Sequence, residues 1–402
     1  MSIFNKLGSG WYNKNIVDLL KESREKYNSN ILHTLIKAII VPHAGLKYSG
    51  LCAAASYSST LNSNLDQNHN IKRIVILGTW HSCSVELECD KLLLPSVESA
   101  IIPIRDGEIK LDIDEFDKLL ENPQIIVDSE NKHFMNEHSI EIQTSFINYC
   151  YPEAKIIPIL VGKRDSYKDV IDSLSELNTE NTLWILSGDF YHINGRFNFT
   201  MKNSEVKTYN AKAINLFLEP DKDTSQKMLK HYNSYTPTIC GWHVFRLWTE
   251  LPIAHTLHGN ITCYYTSAYN EIDYKKVPDE YESSVSYLSV IYYSKSIKLA
   301  KVFTSYDLLN IDIAIKELIE LFEDEDIPKY EMIDYYGENS PELINFFTDL
   351  IGFKTYNLNN YYRNNLLIEE ELKKVIGVQS QISENFLSTI TIGIGLGILY
   401  FM

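Results

Sequence analysis

Short apolar, β-branched runs alternate with longer amphipathic stretches along the first three quarters of the chain, the pattern of a layered α/β domain. Ile16–Tyr27 places Ile16, Leu19 and Leu20 on one helical face. Lys37–Val41 predicts a strand, and the alanine-rich Gly50–Ser59 the helix after it. Further strands are predicted at Arg73–Leu77, Lys155–Val161 and Thr182–Leu186, with Ile261–Ser267 and Val285–Tyr293 as late strands completing the sheet. Helical spacing covers Ile113–Leu120, Ile140–Ile147, Asp165–Leu177, Glu205–Phe217 and Gly241–Leu251. No internal repeat and no Gly- or Ser-rich linker interrupts this stretch.

The pattern changes near residue 297. Asp312–Phe322 predicts a helix, followed by the acidic run Glu323–Asp326 and by the Asn- and Tyr-rich segment Asn357–Asn365. The last 17 residues, Phe386–Met402, carry no charge. As a helix they would reach about 26 Å at about 1.5 Å per residue, close to the roughly 30 Å of a hydrocarbon core. They are read as a candidate membrane anchor; Gly393, Gly395 and Gly397 at alternate positions suit a buried strand equally. The expected organisation is therefore an α/β domain over 1–297, a mainly helical acidic extension over 298–385, and the apolar segment 386–402.

Composition narrows the function classes. With 45% hydrophobic and 22% charged residues in 402, the chain has the make-up of a globular protein with a full core. A net charge of −16 excludes nucleic acid as a main partner, because phosphate binding needs clustered cations. From Lys298 onward 17 acidic residues face 8 basic ones, so −9 of that charge lies in the last quarter. The six cysteines are scattered with no CxxC pair, and the N-terminus lacks a basic-then-apolar leader, which together predict a reducing, cytoplasmic setting.

Candidate chemistry lies where strands end. KAIIV runs into Pro42-His43-Ala44-Gly45, RIVILGTW into His81, and TLWILS into Gly188-Asp189-Phe190-Tyr191-His192. Three apolar strands thus each deliver a metal-competent side chain just past the C-terminal edge, where α/β sheets form their binding crevices. Singly, each has a plainer explanation: a histidine as a satisfied polar group, Asp189 as a helix N-cap. Cys240 directly precedes a predicted helix, whose dipole would lower the thiol pKa and favour thiolate; a small buried hydrophobe is the alternative. Glu137-His138-Ser139 opens another predicted helix and pairs a carboxylate with an imidazole, suited to orienting a ligand or to acid/base work. Imidazole, thiolate and carboxylate together suit iron, copper or zinc. No Walker A, GxGxxG, HExxH or GxSxG motif occurs, which argues against nucleotide binding and the common hydrolase classes.

Seven motifs in order carry a family resemblance: GSGWY (Gly8–Tyr12), VPHAGLKYSG (Val41–Gly50), ILGTWHS (Ile76–Ser82), EHSIEIQ (Glu137–Gln143), SGDFYH (Ser187–His192), TICGWH (Thr238–His243) and SSVSY (Ser283–Tyr287). The chain resembles MEMO proteins, which include the B component of the AmmeMemoRadiSam group, over about residues 5–295. The resemblance implies a fold similar to class III extradiol (LigB-type) dioxygenases, a mixed central sheet flanked by helices. It implies a metal cleft of His43, His81, Asp189, His192 and Cys240 holding copper or iron ahead of zinc. Departures are local. Thr79-Trp80 stands for Pro-Ser, Ser82 for a second histidine and Gly188 for serine, and the bulky Trp80 is expected to narrow the cleft mouth.

Three functions follow as expectations. The first is a redox- or signalling-related metal protein with His43, His81 and Cys240 as primary ligands, Asp189 and His192 completing the site and His138 acting from behind. The second is a non-enzymatic module receiving a peptide or phosphotyrosine in the same cleft, with Lys47 and Arg196 as the nearby cations. The third is a metal-dependent, dioxygenase-like oxidoreductase with His138 or His192 as base.

Overall fold

The computed structural model describes residues 3–27, 36–64, 71–83, 89–97, 99–197, 199–235, 238–268 and 281–294. The extension and apolar segment expected beyond residue 297, including the membrane anchor, lie outside them. Among the described residues no helix is long and apolar enough to cross a membrane.

In chain order the elements are α1 (Ile16–Tyr27), β1 (Ile36–Val41), α2 (Leu46–Asn64), β2 (Arg73–Thr79), β3 (Leu92–Pro95), β4 (Ile101–Ile104), β5 (Gly107–Leu111), α3 (Ile113–Leu120), β6 (Ile125–Asp128), α4 (His138–Cys150), β7 (Lys155–Val161), α5 (Ile171–Ser175), β8 (Thr182–Ser187), β9 (His192–Ile193), α6 (Asn203–Asn215), α7 (Thr224–Tyr235), α8 (Trp242–Glu250), β10 (Leu257–Thr266) and β11 (Ser284–Ser294). A 3₁₀ turn at Ser9–Tyr12 precedes them.

The described strands form one mixed sheet ordered β10-β11-β1-β8-β2-β7-β3-β6, with the β4–β5 hairpin joined through β5 to β7, and β9 to β11. Its centre, β1, β8, β2 and β7, is parallel. These strands are buried almost end to end, which is why they read as continuous apolar runs rather than alternating ones. β11 runs antiparallel to both β1 and β10. Helices flank the sheet; α4 lies close against β2 because Gly78 has no side chain. A Cβ there would stand 2.5 Å from Ile140 Cγ1 and 2.8 Å from Ser139 Oγ.

The expected strands and most helices are present, several of them longer than predicted: α2 starts at Leu46 rather than Gly50. The helix predicted over Asp165–Leu177 contracts to Ile171–Ser175. Tertiary partners take the backbone groups ahead of it: Arg246 donates to the carbonyls of Arg164 (2.7 Å) and Asp165 (2.6 Å), and Tyr167 N–H donates to Glu250 (3.0 Å).

Candidate functional site

The parallel register brings three strand ends together. Val41 of β1 pairs with Ser187 of β8, and Ser187 with Gly78 of β2. The residues that follow, His43, His81 and Asp189, therefore emerge at one edge of the sheet although they are far apart in sequence. Cys240 reaches the same edge just before α8: the Asp189 N–H donates to Cys240 Sγ at 3.1 Å. Asp189 caps no helix; after it the chain passes through a bridge at Tyr191 into β9.

His43 is buried, with Nε2 3.2 Å from Cys240 Sγ and 4.0 Å from Asp189 Oδ2. Asp189 Oδ1 accepts the His43 backbone N–H at 2.9 Å, so carboxylate and imidazole are tied through the main chain as well. His192 Nε2 lies 3.9 Å from Asp189 Oδ2 and is itself buried without a hydrogen-bond partner. The rings of His43, His81 and His138 form a compact trio. His81 stacks on His138 at 4.3 Å, and His43 meets the other two edge-on at 5.0 and 5.1 Å. The ligand atoms of His43, His81 and Cys240 all lie within 4.8 Å of one another, and so do those of Asp189, His192 and Cys240.

Glu137 supports this arrangement more directly than its sequence position indicated. Its carboxylate accepts from the His81 Nδ1 side and from the His81 backbone N–H, both at 2.7 Å, while also capping α4 through Ser139 N–H. The only legible signal was its place beside His138. A second such residue is Trp11, whose ring lies 4.9 Å from His138. Its segment is pinned by the buried Glu141 carboxylate, which accepts from the N–H groups of Lys6 and Leu7 and from the Tyr12 hydroxyl. Trp80, whose bulk was expected to narrow the cleft mouth, packs into the core beside His133. It is buried, with its indole N–H 3.3 Å from His133 Nδ1. Cys83, two residues past His81, is bonded to Cys89, a pairing that the scattered cysteines did not predict.

Burial favours the uncharged forms of His43, His138 and His192. Burial, then the neighbouring His81, His138 and His192, holds His43 well below the usual histidine range. Burial and His81 bring His138 to about 4; burial, His81 and Arg196 bring His192 to about 3. Burial raises Asp189 to about 7 despite the His43 amide. Glu137 is pushed upward by burial, but its bond to His81 and the two adjacent histidines win, leaving it below the ordinary carboxylate value. Cys240 reverses the expectation drawn from its helix. Burial and the Asp189 charge raise its thiol well above the usual value, outweighing a dipole effect that acts only over the first turn.

Lys47 and Arg196 are both exposed. Arg196 stands 5.1 Å over the Phe197 ring, which in turn packs 4.8 Å from His192, so this cation sits beside the cluster. Lys47 instead lies over Tyr48 at the start of α2.

A mixed α/β protein with a cluster of potential metal ligands at the C-terminal edge of its parallel strands is what fold and site together define. The chain belongs to the Memo-like protein family, whose model matches residues 7–291. It is 27% identical over 235 residues to a MEMO1 family protein of Aquifex aeolicus, covering 56% of this chain and 58% of that one. It is 28% identical over 212 residues to the MEMO1 family protein MHO1 of Saccharomyces cerevisiae, covering 49% and 60%. It is 25% identical over 301 residues to the memo-1 homolog of Caenorhabditis elegans, covering 69% and 79%. The chain thus spans less than two thirds of the bacterial and yeast relatives.

Proposed function

We propose that the cleft binds a copper or iron ion through His43, His81 and Cys240, with Asp189 and His192 completing the donor set, and that the bound ion serves redox or signalling chemistry. The observation that carries this reading is the convergence of the His43, His81 and Cys240 ligand atoms within 4.8 Å of one another. The buried, unpartnered Nε2 of His192 fits the same reading, since a buried polar atom without a partner is costly unless something binds it.

When bound, a redox-active ion would supply one-electron chemistry that these side chains lack. The protein's own part is to present His43 and His192 as neutral imidazoles and to exclude water behind His43. Glu137 holds the His81 ring in place. The raised Cys240 thiol would give up its proton on ligation, so metal uptake would be accompanied by proton release. Protein purified without chelators is expected to retain copper or iron, and His43→Ala/His81→Ala to lose nearly all of it while keeping its circular dichroism. Equal metal content in the two proteins would overturn the proposal.

The position of Arg196 favours one further reading of the cleft, as a receptor for an acidic or phosphotyrosine peptide without catalysis. An immobilised phosphotyrosine peptide should then retain the wild-type chain at least about tenfold better than Arg196→Ala, the size of a lost charge-assisted contact. Equal retention removes this reading and leaves the metal site standing.

A further inference from the structure

Behind His43 lies a buried polar relay that the metal reading does not use. Tyr57, Gln143, Ser187 and His43 are all fully buried. The Tyr57 hydroxyl donates to Gln143 Oε1 at 3.0 Å. Gln143 Nε2 donates to the Pro42 carbonyl at 3.0 Å and to Ser187 Oγ at 3.1 Å. Ser187 Oγ donates to the Ser139 carbonyl at 2.5 Å, and His43 Nδ1 stands 3.2 Å from the same Oγ.

Two main-chain carbonyls fix every proton in this chain, because a carbonyl can only accept. The group facing Pro42 O must be the Gln143 amide nitrogen, so Ser187 Oγ accepts from it. The single Ser187 proton is committed to Ser139 O. Nothing remains on Ser187 to give to His43, and the only bond its oxygen can still make is as an acceptor. His43 must therefore carry its proton on Nδ1. The hydroxyl then donates once and accepts twice, its full capacity.

We propose that Gln143 and Ser187 are positioning residues that hold His43 as the Nδ1–H tautomer, leaving the Nε2 lone pair directed at Cys240. The consequence for ligation rests on the metal reading above; the tautomer itself does not. Helix α4 is then the element that presets both imidazoles. Glu137 at its N-cap accepts a hydrogen bond from His81 Nδ1–H, and Gln143 further along it commits Ser187 to His43. The two supports differ in charge, a carboxylate behind His81 and a neutral hydroxyl–amide pair behind His43, so the ligands are unequal donors.

The test uses the full chain with ¹⁵N-labelled histidine, stripped of metal, and reads the two ring nitrogens of His43 in long-range ¹H–¹⁵N spectra at neutral pH. The wild type is expected to show a protonated Nδ1 and an unprotonated Nε2. Ser187→Ala should abolish that pattern in favour of Nε2–H or a mixture, and Gln143→Leu should weaken it. Titration with copper(II) or iron(II) should then give about ten- to a hundredfold weaker binding for Ser187→Ala. A wild-type His43 protonated on Nε2 overturns the proposal without recourse to any variant. So does a folded Ser187→Ala with the wild-type tautomer. The expected tautomer in a wild-type protein that takes up neither metal supports the proposal and sinks the metal reading alone.

Discussion

Acidifying the metal-free protein from pH 7 to pH 5 is expected to cost it on the order of 3 kcal/mol of stability. The cause is the set of histidines kept neutral by burial. His138 and His243 sit at about 4 and His192 at about 3, each with burial as the first cause, and His43 is depressed in the same direction. A histidine with a depressed folded pKa contributes stability above its unfolded value near 6.5, and that contribution drains away as pH falls toward the folded value. Asp189 works against them. Raised to about 7 by burial, it contributes stability that is complete below its unfolded value near 4 and is lost as pH rises through 7. Near pH 5 the unfolded chain thus binds about three more protons through His138, His192 and His243, and the folded chain about one more through Asp189. The net is roughly two protons, or about 2–3 kcal/mol per pH unit, in favour of unfolding as pH drops, and His43 adds to the same side. Urea unfolding of chelator-treated protein at pH 7, 6 and 5 measures this directly. A midpoint that is flat or rises toward pH 5 would sink the account. In His138→Asn/His192→Asn, where two of the four histidines are gone and His43 and His243 remain, the slope should fall markedly.

On the proposed reading, the same burial that makes the cluster acid-sensitive would also suit it to ligation. His43 and His192, held neutral, would need to shed no proton to bind a metal, and the raised Cys240 thiol would lose its proton only when an ion compensates it. A bound ion should therefore steepen the acid response, since protons then compete for the ligands as well.

How much of this was legible in the sequence depends on how local each cause is. The strands β1, β2 and β8 announced themselves because strands buried on both faces cannot alternate. Their ends then located His43, His81 and Asp189 without any knowledge of strand order. Strand order itself, with β8 seated between β1 and β2, is what makes the three converge, and no spacing rule carries it. The short strands β3, β4 and β6 were not predicted: each has four residues, too few to show a period. α7 was missed for a different reason. TSQKMLKHYNSY offers few apolar positions to mark a buried face. Cys240 shows the limit most plainly. A helix start argued for a lowered thiol pKa, whereas Asp189, distant in sequence, and the surrounding burial decide it the other way. The Glu137 contact to His81 is likewise made across the fold and could be read from neither motif alone.

The failed helix over Asp165–Leu177 leads to the largest mutational effect expected. Arg246 projects from α8 with about 1% exposure, and its guanidinium replaces helical partners by donating to the carbonyls of Arg164 and Asp165 at 2.7 and 2.6 Å. Its charge faces Glu250 one turn on, at 3.8 Å, whose carboxylate also accepts from Tyr167 N–H (3.0 Å) and Ser225 Oγ (2.6 Å). Arg246→Ala would leave two carbonyls and a nearly buried carboxylate uncompensated. Breaking a buried pair from one side typically costs about 3–5 kcal/mol, more than the pair contributes over an apolar substitute. In a domain of this size that corresponds to a melting temperature lower by roughly 10 °C. Arg246→Ala/Glu250→Ala, which removes both charges, should recover part of the loss, because the stranded carboxylate and not the missing attraction is the larger cost. Thermal melts of the three proteins distinguish these terms. A loss below about 1 kcal/mol in the single variant would mean that water reaches the carbonyls and the ion pair holds nothing in place. Because α8 begins two residues after Cys240, the single variant should loosen the thiol from Asp189 and His43 too. Faster alkylation of Cys240 in Arg246→Ala than in the wild type, below the melting transition, is the sign of that coupling.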